Sequence, residues 1–189
     1  MSTILSSLLS LRWFTLGDGL PAPAQHHALQ YPLSPQPRIA ALGFEFLPEP
    51  DLKCLPAWSL RSLESAAPEA LAAPPSDLLI VALMRKQGVL RLNRLKYPLL
   101  ALLRPGHNPL SDALIQALYR HFGLPVRQQF RDHEGRLLAQ DCEAGAGFHI
   151  LQPGFPLPGG VLTHTPCPCG HPAPRLLTPP LARAATGIL

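Results

Sequence analysis

ALAAPPSDLLIVALMRKQGVLRLNRLKYPLLALLRPGHNPLSDALIQALYRHFGLPVRQQF, residues 70–130, alternates short apolar runs with two amphipathic stretches, and that alternation decides the fold. Two prolines, Pro74 and Pro75, break the first run. Ser76 is then the expected N-cap of a helix, Asp77 suits its positive end, Arg85 and Lys86 suit its negative end, and Gly88 closes it. YPLLALL (97–103) has the length of a buried strand, and RPGHNPL after it is a turn. In SDALIQALYRHFG, Leu110, Ala113, Leu114, Ala117, Leu118 and Phe122 share one face, with Gly123 where a left-handed cap belongs. A strand at 126–130 follows. Strand, helix, strand, helix, strand in this order predicts an α/β fold built on a parallel sheet with right-handed crossovers.

Outward from this centre the chain changes character. Residues 58–73 read as a helix and then a short run at 70–73. Residues 1–57 form a proline-rich region with a short helix at 3–12 and one strand-like piece at 39–47, and no chemistry is legible there. The organisation expected is a Pro-rich region over 1–57, an α/β core over 58–150, and a Pro/Gly-rich tail over 151–189. With 189 residues and 47% apolar side chains the chain can bury a real core, although 24 prolines and 14 glycines make both ends loop-rich. No run is apolar enough for a membrane span, and the N-terminus has no basic residue ahead of its apolar stretch, so no signal peptide is expected. The expected compartment is therefore reducing, with the cytoplasm as default.

Net charge is +4, unevenly placed. Residues 76–137 carry ten Lys/Arg against four acids, an excess larger than that of the whole chain. A solvated arginine-rich face is the ordinary reading, and an anionic partner is the sharper one. Nucleic acid is not expected, because the cations are not interleaved with aromatics and no binding motif appears.

Three of the four cysteines, Cys142, Cys167 and Cys169, fall within 28 residues of one another, and His149 follows the first of them by seven. The pattern C-x6-H-x17-C-x-C supplies the four Cys/His ligands of a tetrahedral zinc site. Gly145 and Gly147 let the first pair bend back, and Pro166, Pro168 and Gly170 turn the second. A tail this poor in apolar residues gains a physical reason for a metal clip. The spacing alone leaves other readings open: free thiols or a redox pair at Cys167 and Cys169, or His164 or His171 in place of His149. A catalytic zinc needs an open position and a nearby base, and only Glu143 is close, so a structural role is expected.

PEALAAPPSDLLIVA (68–82), GVLRLNRLKYPLLALLRPGHNPLSDALIQALYRHFGLPV (88–126), QFRDHEGRLLAQDCEAGAGFHI (129–150) and PCPCGHPAPRLL (166–177) together resemble, in order, the adenylate-forming ligases of the phenylacetate–CoA ligase type, over roughly 110 of the 189 residues. The resemblance rests on a proline–serine step before a helix, a turn before a second helix, a strand entering a Tyr-x-x-x-Glu-like motif, a Cys-Glu…His-Ile segment and a Cys-x-Cys-Gly knuckle. It implies an α/β fragment of such a ligase's N-terminal domain with a zinc-stapled, loop-rich end, and ATP with Mg2+, coenzyme A and a carboxylate as its chemistry. On that mapping Phe130 stands at the adenine-stacking tyrosine and Glu134 at the glutamate that helps hold Mg2+. His107 and Arg131 lie beside the implied nucleotide cleft, and Cys142, His149, Cys167 and Cys169 are the implied metal ligands.

The sequence also departs from the family. RPGHN (104–108) replaces the Gly-Gly-Glu turn, residues 1–60 hold no Ser/Thr/Gly-rich phosphate loop, and the chain reads as truncated before the ribose-binding aspartate and the lid lysine. Phosphoryl-type chemistry depends on such positioning groups. The expectation is therefore a truncated, degenerate ligase-like protein acting as a binding or accessory module, as a homo- or hetero-oligomer. The alternatives are a ligase component completed by a partner and a zinc-stabilised interaction module.

Overall fold

A computed structural model of the chain describes residues 27–32, 36–155 and 160–177. The helix expected at 3–12 lies outside the described residues. Among the described residues nine strands form one sheet: β1 (Ile39–Leu42), β2 (Leu52–Leu55), β3 (Ala70–Ala73), β4 (Leu99–Leu103), β5 (Val126–Arg131), β6 (Leu137–Asp141), β7 (Phe148–Ile150), β8 (Val161–Thr163) and β9 (Arg175–Leu177). Three helices are described: α1 (Leu60–Ala66), α2 (Pro75–Lys86) and α3 (Asp112–Phe122). Spatial order is β2-β1-β3-β4-β5-β6-β7-β9-β8. The first five strands of that order are parallel, and every pairing from β5 to β8 is antiparallel.

The parallel half matches the reading of 70–130. β3 and β4 are buried at every position, as strands covered on both faces must be. Removing each such leucine from water contributes about 1.5–3 kcal/mol before entropy is counted. One core packs α2 and α3 on the sheet through Leu78, Val81, Ala82, Leu118 and Phe122. On the other face, Leu29, Phe44 and Phe46 cover Ala41, Ala72 and Leu100.

Three local expectations need correction. Ser76 is not the N-cap of α2: Pro74 holds that place with no side-chain cap, and Pro75 occupies the first turn, where its missing N–H is no loss. The piece at 39–47 is a strand only to Leu42, because Gly43 turns out at φ 66. Ala113, placed on the inner face of α3, is exposed. The α3 ends are as expected, with the Ser111 hydroxyl accepting from Leu114 N–H and Gly123 left-handed at φ 69.

The larger difference is that the sheet is mixed. Beyond β5 the chain doubles back through a tight Asp132–Gly135 turn into β6 and β7, and the tail returns as β8 and β9. A third core holds this half, with Phe130 between Phe148 (ring centroids 5.5 Å) and Phe155 (5.5 Å). Strands of three residues give weak periodicity, which is why the tail reads as loop from sequence. Among the described residues, no helix is long and apolar enough to cross a membrane.

Candidate metal centre

Three separate backbone segments deliver four soft ligands to one point. Cys142 is the first residue past β6, His149 is the middle of β7, and Cys167 and Cys169 lie in the β8–β9 connection. Their ligand atoms all lie within 4.8 Å of one another. Cys142 Sγ is 3.2 Å from Cys167 Sγ, Cys167 Sγ is 3.2 Å from Cys169 Sγ, and His149 Nε2 is 3.2 Å from Cys169 Sγ.

The two cysteine segments are built alike. Gly145 N–H donates to Cys142 O at 2.9 Å, and Gly170 N–H donates to Cys167 O at 2.9 Å. Each is therefore a four-residue turn, Cys-Glu-Ala-Gly and Cys-Pro-Cys-Gly, closed by a left-handed glycine (φ 66 and 80). Such a turn points its cysteine inward and leaves amide N–H groups near the sulfur; Ala144 N–H already donates to Cys142 Sγ at 3.3 Å. Gly147 completes the first turn by accepting from Cys142 N–H at 2.7 Å. A Cβ at Gly147 would collide with the Leu176 carbonyl oxygen, so only glycine lets β7 approach β9.

Side chains around the cluster orient it. His149 is 2% exposed, and its Nδ1 lies 3.3 Å from Ala173 O, which leaves Nε2 facing the sulfurs. Burial, with the nearby His171 and Arg175, holds its pKa below the ordinary histidine value, favouring the neutral ring a metal needs. Burial works against the Cys142 thiolate, but hydrogen bonds from the Ala146 and Ala144 backbone and from the neighbouring thiols outweigh it and lower its pKa. Cys167 goes the other way, pushed up to about 11 by burial first and then by the sulfurs of Cys169 and Cys142. The two sulfurs are thus shifted in opposite directions, and a bound divalent cation would favour the thiolate form that a metal ligand needs.

Arg175, which no sequence pattern singles out, straps the two turns to each other. It donates through Nη1 to Ala146 O (3.1 Å) and through Nη2 to Thr165 O (3.2 Å) and Pro166 O (3.5 Å). Arg127 adds a second strap, from Nη1 to Cys142 O at 3.2 Å. Three thiolates and one imidazole around a dication carry a net charge of −1, and these two guanidiniums stand where that charge would be felt. Neither arginine has a motif signature, since what recommends each is carbonyl geometry on a distant segment.

A tetrahedron with ligands about 2.3 Å from its centre has edges of about 3.8 Å, so the pairs at 3.2 Å need to spread by about 0.6 Å and any wider pair, up to 4.8 Å, needs to close by about 1 Å or less. The donor set and its geometry fit a metal ion. The fourth cysteine is elsewhere: Cys54 sits on edge strand β2, six strand spacings from β7, or about 29 Å.

The other residues singled out from sequence do not converge with this cluster. Phe130 and Arg131 are both fully buried. The Phe130 ring is enclosed in the third core, and the Arg131 guanidinium is engaged with Gln129, Gly135 and Ala28. In this arrangement neither side chain presents a face to a nucleotide. Glu134 is partly exposed in the β5–β6 turn, 3.8 Å from the His133 ring, and His107 is exposed in the turn after β4. Both lie beyond the carboxyl ends of neighbouring parallel strands, the end where open α/β sheets bind ligands.

No family model matches the chain, and no curated protein matches it. Among solved structures, the chain is similar to the crystal structure of an open conformation of 2-hydroxyisobutyryl-CoA ligase in complex with 2-HIB-AMP and CoA. The TM-score is 0.50 at 15% identity, over 74% of this chain. The match spans 43% of that protein, less than half its length. At this identity the likeness is one of fold alone, shared with part of that protein.

Proposed function

We propose that Cys142, His149, Cys167 and Cys169 hold a structural Zn2+ ion, and that the chain is a zinc-stapled binding or accessory module on an adenylate-forming-type sheet, without ligase activity of its own. The observation that carries this reading is the convergence of three sulfurs and one imidazole within 4.8 Å from three backbone segments. Bound there, the ion would supply cross-linking and charge neutralisation. The four side chains would fill its coordination, leaving no position for substrate, and three thiolates make it a poor Lewis acid. The ligands must be deprotonated thiols, which fits a reducing compartment such as the cytoplasm.

The test is metal content by mass spectrometry on purified protein. The wild type and Cys54→Ser are expected to carry about one zinc per chain, and Cys167→Ser to lose it. Equal metal in Cys54→Ser and Cys167→Ser would end the assignment.

The likeness to a ligase favours one further reading, a component that binds ATP or coenzyme A and is completed by a partner. Glu134 would then help hold Mg2+, with His107 beside the phosphates. Against it stand the turn RPGHN, which lacks the glycines of a nucleotide-binding turn, and the buried Phe130 and Arg131. The module reading predicts no pyrophosphate release with a panel of carboxylic acids, ATP and coenzyme A. Micromolar ATP binding that weakens at least tenfold in Glu134→Ala would favour the ligase-component reading instead.

A further inference from the structure

Between Asp77 and Asp112 the chain runs 34 residues without a carboxylate while carrying Arg85, Lys86, Arg91, Arg94, Lys96 and Arg104. Topology sends most of these cations to one place. α2 joins β3 to β4 and α3 joins β4 to β5, all parallel, so both helices run the same way and end together. Arg85 stacks over the Phe122 ring at 5.0 Å and joins the two ends. Lys86 ends α2, Arg91 and Arg94 lie in the connection that follows it, and Arg120 lies in the last turn of α3, all exposed. Among the described residues none of these four has an ion pair, whereas Lys96 is held by Glu69 at 3.0 Å. The nearby Glu64 gives its Oε1 to the Arg91 backbone N–H at 2.9 Å.

The same layer exposes apolar side chains. Of the seven large ones most open to solvent among the described residues, four lie here: Leu79 (40% exposed), Leu83 (38%), Val89 (51%) and Tyr119 (50%). Leu79, Leu83 and Lys86 follow one another along the outer face of α2 at helical spacing. Val89 folds back on the last turn, its N–H donating to Met84 O at 3.0 Å. Tyr119 directly precedes Arg120.

The helix dipole accounts for Arg85, Lys86 and Arg120 at helix ends. It does not account for Arg91 and Arg94, which lie past α2, nor for the apolar side chains between the cations. We propose that this helix layer docks on an anionic lipid bilayer, with Lys86, Arg91, Arg94 and Arg120 over the headgroups and Leu83, Val89 and Tyr119 at the acyl boundary. Charge complementarity selects an anionic surface, and the exposed apolar groups select a lipid one. A nucleic acid backbone would meet the cations but offers nothing for leucine and valine, and the face lacks the interleaved aromatics that stack on bases.

The experiment is co-sedimentation of the full chain with vesicles of phosphatidylcholine alone or mixed with phosphatidylserine. Binding is expected only to the mixed vesicles, and to weaken with salt. Each cation contributes about fivefold, so Arg91→Glu/Arg94→Glu should weaken binding at least 25-fold. Val89→Ser, at a side chain half exposed to solvent, should weaken it several-fold without changing the salt dependence. Circular dichroism checks that each variant is folded. Equal binding to both vesicle types, or undiminished binding by the folded double variant, overturns the proposal. So does an absence of vesicle binding, including one accompanied by Arg91- and Arg94-dependent capture of single-stranded RNA.

Discussion

Removing divalent metal with a strong chelator is expected to abolish amide-exchange protection in β7, β8 and β9 while β1, β3 and β4 keep theirs. Beyond the third core, to which β7 and β9 bring Phe148, Ile150 and Leu176, the antiparallel end has short strands and little else. β7, β8 and β9 have three residues each, and two of the three in β8 are exposed. Strands of that length order too few groups to offset their own backbone entropy of about 1–2 kcal/mol per residue. Structural zinc in small metallo-domains contributes an apparent 10–16 kcal/mol or so at neutral pH, comparable with the whole stability of an ordinary domain. The parallel half has its own core under α2 and α3, with Leu63, Leu71, Leu78 and Leu99 fully buried, and does not depend on the cluster. Hydrogen exchange read by mass spectrometry, with and without chelator and again after zinc is restored, separates the two halves. Full protection of β7–β9 in metal-free protein would sink the structural role.

That division also explains what the sequence made legible. The βαβαβ order of 70–130 announces itself because its strands are buried on both faces and its helices carry their own caps and apolar stripes. The grouping of Cys142, His149, Cys167 and Cys169 was legible for a different reason: residues able to hold a metal are recognised by type, whatever the length of the strands that carry them. β6–β9 were not, since an isolated VLT or RLL has no period to detect, and the pairing that makes it a strand comes from segments far along the chain. β2 was lost among the prolines of the first 57 residues in the same way. Arg175 and Arg127 illustrate the remaining gap, because a guanidinium bound to remote carbonyls looks in sequence like any other surface charge.

The resemblance to a ligase implied Arg131 beside a nucleotide cleft. β5 instead bulges between Phe130 and Arg131 as it pairs with β6, and the side chain is carried inside. The segment at 27–32 then closes over it, with the Gln129 amide donating to Gln30 O at 2.7 Å. A residue taken for a ligand contact is in fact the polar centre that fastens the chain's early segment to the sheet.

Arg131→Met is accordingly expected to cost about 3–5 kcal/mol. The guanidinium is fully buried and lies 5.0 Å from the Phe46 ring centroid. It donates to Gln129 Oε1 from Nε (3.0 Å) and Nη2 (2.9 Å), and from Nη1 to Gly135 O (2.6 Å) and Ala28 O (3.3 Å). Burial pulls its pKa down to about 10, with Asp132 opposing, so it stays charged at neutral pH. Methionine would fill much of the volume but leave the Gln129 oxygen and two carbonyls without their donor, and each orphaned acceptor costs about 1–3 kcal/mol. Arg131→Lys keeps the charge and loses the planar fork, so it should fall between the two. Urea midpoints for the three proteins give the order wild type, lysine, methionine, and proteolysis should cut first within 27–32 in the methionine variant, because Ala28 O has lost its anchor. A methionine variant as stable as the wild type would mean that the buried charge costs as much to desolvate as its hydrogen bonds return, and that the early segment is held by Leu29 and Tyr31 packing instead.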